Sequence, residues 1–294
     1  MNSFSHPAGA AGHSASPGAH VVHAGHSAHD TAGLAGLLDL DAAILGSYLS
    51  DATAWASALA PQSPRTIVDL GAGTGAGTLA LAERFPTAAV IALDRSTGML
   101  GRIEAEASRR GSADRVRTVE ADVDVAWPVP WPVDVVWAAS SLHEVRDAER
   151  VIRDVHAALA PGGLFAVLEF AAPPFFAFAD ASLGSPGWEG RVHRAATDAR
   201  GDSHPDWSAP LGAAGFDVID RRAFRAEVGP GTPDAGRYAR TYLERVRPAL
   251  DAALDDRDRA ALDAVLADGA ADSPLGSDAL TIRTERTSWA ARRP

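Results

Sequence analysis

The stretch Thr66-Ile67-Val68-Asp69-Leu70-Gly71-Ala72-Gly73-Thr74-Gly75-Ala76-Gly77 constrains this chain more than any other. Thr66 to Leu70 is short, apolar and rich in β-branched residues, the composition of a buried strand. Glycine then stands at every second position, and Thr78 to Phe85 has helical composition before Pro86 stops it. Strand, glycine turn and helix open a doubly wound α/β sheet, and such sheets bind ligands at the carboxyl ends of their strands. Glycine serves there because it tolerates positive φ and lets a ligand approach the backbone. The spacing leaves the ligand open, since Gly71-x-Gly73-x-x-Ala76 also satisfies a dinucleotide fingerprint.

Composition narrows the chemistry. The chain has 294 residues and is 46% apolar, enough for one large core or a core with a small cap. Its net charge of −11 argues against a nucleic-acid partner, whose phosphates need a basic surface. Cysteine and lysine are both absent, which removes disulfides, thiolate metal sites, cysteine nucleophiles, Schiff bases and Walker-type phosphate binding. No apolar run reaches ~18 residues, so no membrane partner is expected. The N-terminus has no signal pattern, and cytoplasmic localisation is the expectation.

Residues 1–29 are mostly Gly, Ala, Ser, Pro and His, and are expected to form a disordered tail. His20, His23, His26 and His29 recur every third residue, a weak candidate for metal binding against a solvated tail. Residues 30–60 turn helical, with leucines at three- and four-residue steps and a second short helix beginning at Asp51. Tyr48 is the residue of this segment expected to face a cleft. Further strands are read at Ala89–Asp94, Val116–Val123, Val133–Ala138 and Leu164–Phe170. Residues 171–204 read as an irregular lid, in which Phe175, Phe176, Phe178, Trp188, His193 and Arg194 are candidates to line an acceptor pocket, the alternative being that the aromatics pack on neighbouring helices. A strand at Phe216–Arg225, a helical insertion over residues 234–275 with a helix start at Pro248, and a closing strand at Leu280–Ala290 complete the pattern.

Gly71-x-Gly73-x-Gly75 preceded by Asp69, with Asp94, Asp122, Ser140-Ser141-Leu142-His143 and Leu159-x-Pro161-Gly162-Gly163 following in order, resembles the class I S-adenosylmethionine (AdoMet) methyltransferases. The resemblance covers roughly residues 66–225 and 279–291, within a domain at 61–294. It implies a Rossmann-like, doubly wound, seven-stranded, mostly parallel sheet with an antiparallel last strand, N-terminal helices and a C-terminal helical insertion.

Site roles follow from the resemblance. Asp69 is expected to help hold the ligand's ammonium, with the backbone of Gly71, Ala72, Gly73 and Gly75 against its amino-acid moiety. Asp94 is placed to accept both hydroxyls of a ribose, in an AdoMet or an NAD site; its alternative is a helix N-cap or turn role. Arg95 and Met99 lie near the adenosine, Asp122 and Val123 at the adenine, and Ser140 under the methyl. His143 and Glu144 are the candidates for acid–base work. The competing readings are a wall-shaping histidine, and a Glu144 that only favours a helix dipole. Glu169 is read as facing substrate or as structural.

These readings converge on an AdoMet-dependent methyltransferase acting on a small-molecule acceptor, with the insertion as an acceptor-site cap or a homodimer contact. Two alternatives stay open. One is an NAD(P)-dependent oxidoreductase, against which stands the absence of a Tyr-x-x-x-Lys pair. The other is a non-catalytic AdoMet-binding or metal-responsive protein that uses the histidine tail.

Overall fold

The computed structural model describes residues 28–179, 184–200, 206–267, 275–276 and 280–294. Strands β1 (Thr66–Leu70), β2 (Ala89–Asp94), β3 (Val116–Glu120), β4 (Val133–Ala139) and β5 (Leu159–Phe170) run parallel in the order 3-2-1-4-5. Their near-continuous apolar runs suit strands covered on both faces. Chain order reverses between β1 and β4, which makes that gap the switch point where such sheets bind ligands.

The far side of the sheet is antiparallel. β8 (Leu280–Arg292) pairs with β5, and β7 (Asp217–Val228) runs along the other edge of β8. A short strand, β6 (Phe175–Phe178), shares the β5 edge. β5 opposes Arg286–Arg292 of β8, and β6 opposes Leu280–Arg283. Eight strands therefore fill seven lanes. The break between β5 and β6 contains Pro173 and Pro174, which have no N–H to donate to β8.

Alternate residues of the strands feed two cores, as the period of two requires. On one face Ile67, Val90, Val135 and Trp137 pack with α2 (Ser47–Leu59), α3 (Ala76–Arg84) and α4 (Thr97–Arg109). On the other, Val68, Ile91, Val136 and Phe165 pack with α5 (Ala148–Ala158) and α7 (Ser208–Ala213). A third core lies over the outer ends of β6, β7 and β8. It joins α1 (Ala28–Leu45), α6 (Trp188–Arg200), α8 (Ala235–Ala253) and α9 (Asp256–Leu266) through Leu45, Phe176, Tyr238, Leu250 and Leu262. This helical cap stands beside the switch point and completes the site.

Three expectations change. The first two helices part at Gly46, not at Asp51, with a bend of 79°. Segment 171–204 is not irregular where it is described, since it supplies β6 and α6. Of the two readings of its aromatics, packing on neighbouring helices is the one seen: Phe178 stacks on Trp188 at 5.6 Å, Phe175 meets His193 edge-on at 5.4 Å, and Phe176, Phe178, Trp188 and His193 surround only a small cavity of about 20 Å³ within the cap. Pro248 starts no helix. It lies inside α8, where its solvent-facing position tolerates the missing hydrogen bond. No single described helix is long and apolar enough to cross a membrane.

Candidate active site

A cleft of about 590 Å³ opens at the carboxyl ends of β1, β2, β3 and β4, under a roof of α1 and α8. Its floor begins with the glycine loop. Gly71 has φ +71°, and a Cβ there would lie 2.4 Å from Cβ of Ser141. Only glycine lets the β1 turn approach the β4 turn so closely. Ser141 seals the junction by donating its hydroxyl to the Leu70 carbonyl at 2.6 Å.

Gly73 lines the cleft and donates its N–H to Oδ2 of Asp94 at 2.9 Å. Oδ1 of Asp94 accepts from Ser96 N at 2.8 Å. The Asp94 carboxylate is thus fixed between two turns, while each oxygen keeps a lone pair for a ligand. Ser96, not Asp94, caps α4, while the bond from Ser96 N to Asp94 is the turn role that the alternative reading also named. Arg95, Met99, Asp122 and Val123 line the same end of the cleft. Asp122 accepts from Asp124 N at 2.9 Å, and Asp124 in turn accepts from Arg146 N at 3.0 Å, which ties the β3 turn to the turn after β4.

At the end of β4, Ser140 adopts φ +54°, a costly backbone for a residue with a Cβ. Its N–H is held by the Leu168 carbonyl at 2.8 Å. A single 3-10 turn, Leu142–Glu144, then presents His143. Nδ1 of His143 lies 2.8 Å from Oε2 of Glu169, and Nε2 lies 3.4 Å from Oε1 of Glu144. Glu169 is 1% exposed and also accepts from Leu142 N at 3.1 Å, so it locks both the turn and the ring. Burial alone would depress the imidazole pKa. The two carboxylates outweigh it and push the pKa up to about 9. His143 is therefore an imidazolium at neutral pH.

Three expected ligand contacts do not reach the cleft. Asp69 is 2% exposed and accepts from the Thr78 hydroxyl at 2.6 Å, which ties β1 to α3. Burial, with the Asp94 charge adding to it, raises its pKa to about 7 against the opposing Thr78 hydrogen bond. Ala72 packs against the core, and its N–H goes to the Leu93 carbonyl at 2.9 Å. Gly75 has φ +94°, and a Cβ there would meet Ile103 at 2.6 Å, so it serves helix packing. Tyr48 also turns away from the cleft: it is buried with its ring 4.0 Å from the Arg286 guanidinium.

The opposite end of the cleft was not legible in the sequence. Asp41 of α1, Phe170 of β5, Arg200 of α6, and Tyr238, Tyr242 and Arg245 of α8 line it. Asp41 accepts from Arg286 at 2.7 Å and from the Tyr238 hydroxyl at 3.0 Å. These residues come from four elements far apart in the chain. Among the described residues no group of three or more metal-binding side chains is arranged around a common point. His20, His23 and His26, and the side chain of His29, lie outside the described residues.

Residues 67–163 match a family model described as a methyltransferase domain. The chain is 36% identical over 135 residues to a trans-aconitate 2-methyltransferase of Variovorax paradoxus, covering 45% of this chain and 50% of that protein. It is 38% identical over 120 residues to a demethylmenaquinone methyltransferase of Thermus thermophilus, covering 40% and 52%. The chain thus matches about half the length of these curated relatives. The YcgJ protein of Bacillus subtilis has a similar fold, with a TM-score of 0.50 and 16% identity over 83% of this chain and 98% of that one.

Proposed function

We propose, from the premise that this chain carries a class I AdoMet-dependent methyltransferase domain, that it transfers a methyl group to a small-molecule acceptor. One observation carries the reading. A single cleft at the switch point brings Gly73, Asp94, Met99, Asp122 and Val123 to one end, Ser140 and His143 to the middle, and a separate set of side chains to the other end. That is room for two ligands, one beside the other.

The residues suit AdoMet at the first end. The bare glycine loop leaves space for an amino-acid moiety, Asp94 has the lone pairs for two ribose hydroxyls, and Met99 offers an apolar face to a purine. Asp122 would accept from an exocyclic amine, with the Val123 N–H beside it. AdoMet brings an electrophilic methyl group, and the protein's task is to align the acceptor with it and exclude water. Asp69 has no direct part in this scheme and holds α3 to the sheet through Thr78.

His143 is the candidate general base. Glu169 fixes Nδ1, so Nε2 is the atom left to receive a proton from the acceptor. In the present arrangement Glu144 occupies that side and favours the imidazolium. Glu144 is largely exposed, and an acceptor that enters on that side has to displace it. The base role is therefore coupled to displacement of Glu144, or to a pH near 9.

The relatives' names point to two unlike acceptors, trans-aconitate and demethylmenaquinone, so they do not name this one. The net charge of −11 supports a small molecule over nucleic acid. Absence of a membrane partner, cytoplasmic action and a homodimer are parts of the same proposal, open to vesicle sedimentation, cell fractionation and light scattering. Calorimetric titration with S-adenosylhomocysteine and with NADH tests the central reading. S-adenosylhomocysteine alone is expected to bind, and at a hundred times its Kd to stabilise the fold by about 2.7 kcal/mol. Binding of NADH instead would favour the oxidoreductase.

A further inference from the structure

Two hollows share a wall under α8. One is the end of the cleft away from Asp94. The other is the cavity of about 20 Å³ inside the cap, enclosed by β6, α6, α8 and α9. Phe176, Phe178, Trp188, Leu250 and Leu262 make up most of its surface. Glu189 and His193 at its edge are tied to backbone. Glu189 accepts from Phe178 N at 2.9 Å, and Nε2 of His193 lies 3.0 Å from the Pro173 carbonyl. The cavity is therefore an apolar one.

Pro174, Ala196, Tyr242 and Val246 border both hollows. Tyr242 is the largest of the four, and its ring packs between two others. Phe176, which borders the cavity, lies 5.6 Å from it, and Tyr238, which borders the cleft, lies 6.3 Å from it. Contact on both sides holds the ring at the boundary. Val246 follows one turn along the same face of α8. Burial keeps the Tyr242 phenol uncharged, so an apolar group meets no charge on reaching it.

We propose that Tyr242 sets the length of the acceptor: the acceptor's apolar far end runs along Ala196 and Val246 and stops against this ring, with the cap cavity closed off behind it. This rests on the methyl-transfer reading above and adds to it the residue that limits the second substrate. Methyl transfer fixes one end of the acceptor beside the methyl group, so a wall at the opposite end selects by length. Replacing the ring by a methyl group would join the cavity to the cleft and let a longer molecule lie in the same register.

The test uses the full chain saturated with S-adenosylhomocysteine. Straight-chain 1-alkanols from butanol to decanol are titrated by calorimetry as probes of the apolar end. In the parent, affinity is expected to rise about four-fold per added carbon and then to stop rising at one chain length. Tyr242→Ala is expected to move that stop by two carbons or more. Tyr242→Phe keeps the ring and is expected to leave the stop where it was. Val246→Ala trims the same boundary and is expected to move it by one carbon, which keeps the test open if Tyr242→Ala does not fold. S-adenosylhomocysteine affinity is expected to be the same in all of them. A stop unmoved in Tyr242→Ala, or in Val246→Ala should the first not fold, would overturn the proposal. So would a stop moved equally by Tyr242→Phe, affinity that climbs through decanol in the parent, or no alkanol binding at any length. Failure of S-adenosylhomocysteine itself to bind would instead sink the methyl-transfer reading on which it stands.

Discussion

His143 shows how two neighbours can reverse the effect of burial on a single residue. A buried imidazole loses charge, yet Glu144 and Glu169 hold this one protonated up to about pH 9. Because the folded-state value lies above the unfolded one, near 6.5, the protonated pair stabilises the fold fully below that pH. The stabilisation is lost as pH rises through about 9. Its full size is on the order of 3 kcal/mol. Urea unfolding at pH 6, 8 and 10 should show that decline, and Glu169→Gln should flatten it. The same variant is expected to shift the pH profile of turnover downward while leaving S-adenosylhomocysteine affinity intact, a split that a merely structural glutamate would not produce. Asp94 is the other residue on which much depends. Its two oxygens already order two turns, so Asp94→Ala should weaken S-adenosylhomocysteine by ~1–3 kcal/mol. Unchanged affinity in calorimetry would remove Asp94 from the ligand site.

At the scale of elements, α8 has the largest share in the cap. One face carries Tyr238, Ala239, Leu243 and Leu250 into the third core, and the neighbouring surface gives Tyr242 and Arg245 to the cleft. Pro248 interrupts its ladder at the Glu244 carbonyl. An interior proline costs about 3 kcal/mol, of which roughly 1 returns through a stiffer unfolded chain. Pro248→Ala, on the exposed side, should therefore raise Tm by several degrees in a thermal melt. A lowered Tm would mean that the helix path set by proline is what seats Leu250 and Leu254. Helix α1 adds ion pairs to its apolar contacts in the third core. Asp39 reaches Arg102 of α4 and Asp41 reaches Arg286 of β8, so two carboxylates two residues apart fasten the roof to both sides of the cleft.

Across the whole molecule, Arg286 connects the parts that sequence separates. It touches Asp41 of α1, Tyr48 of α2 and Phe170 of β5, and Asp41 passes the contact on to Tyr238 of α8. Removing one partner of a buried pair costs about 3–5 kcal/mol. Arg286→Leu should thus lower the denaturation midpoint and increase protease cleavage within α1 more than within β1 to β4. Uniform cleavage across the chain, or no change in midpoint, would show that the cap is held by its apolar core alone.

The Rossmann-like half of this protein was readable in order along the chain, because its signals are local. A β-branched run followed by glycines specifies strand and turn, an acid at the end of β2 sits at the sheet rim by periodicity alone, and the run from Ser140 to His143 follows β4 directly. Where a residue's neighbours lay outside the local pattern, tertiary packing decided its surroundings. Asp69 was expected in the cleft, but Thr78 captured it from the next helix, and Gly75 was claimed by Ile103 of α4. Nothing local tells a glycine that serves a ligand from one that serves a helix. The far end of the site had no local signal at all. Asp41, Phe170, Arg200, Tyr238 and Arg245 are ordinary residues of their own elements, and only the crossing of α1, α6 and α8 over the ends of β5 and β8 brings them to one wall. Local signals, read with the resemblance they carry, accounted for the strands and turns of the sheet, whereas the far wall of the cleft belongs to long-range packing, since its residues share no stretch of sequence.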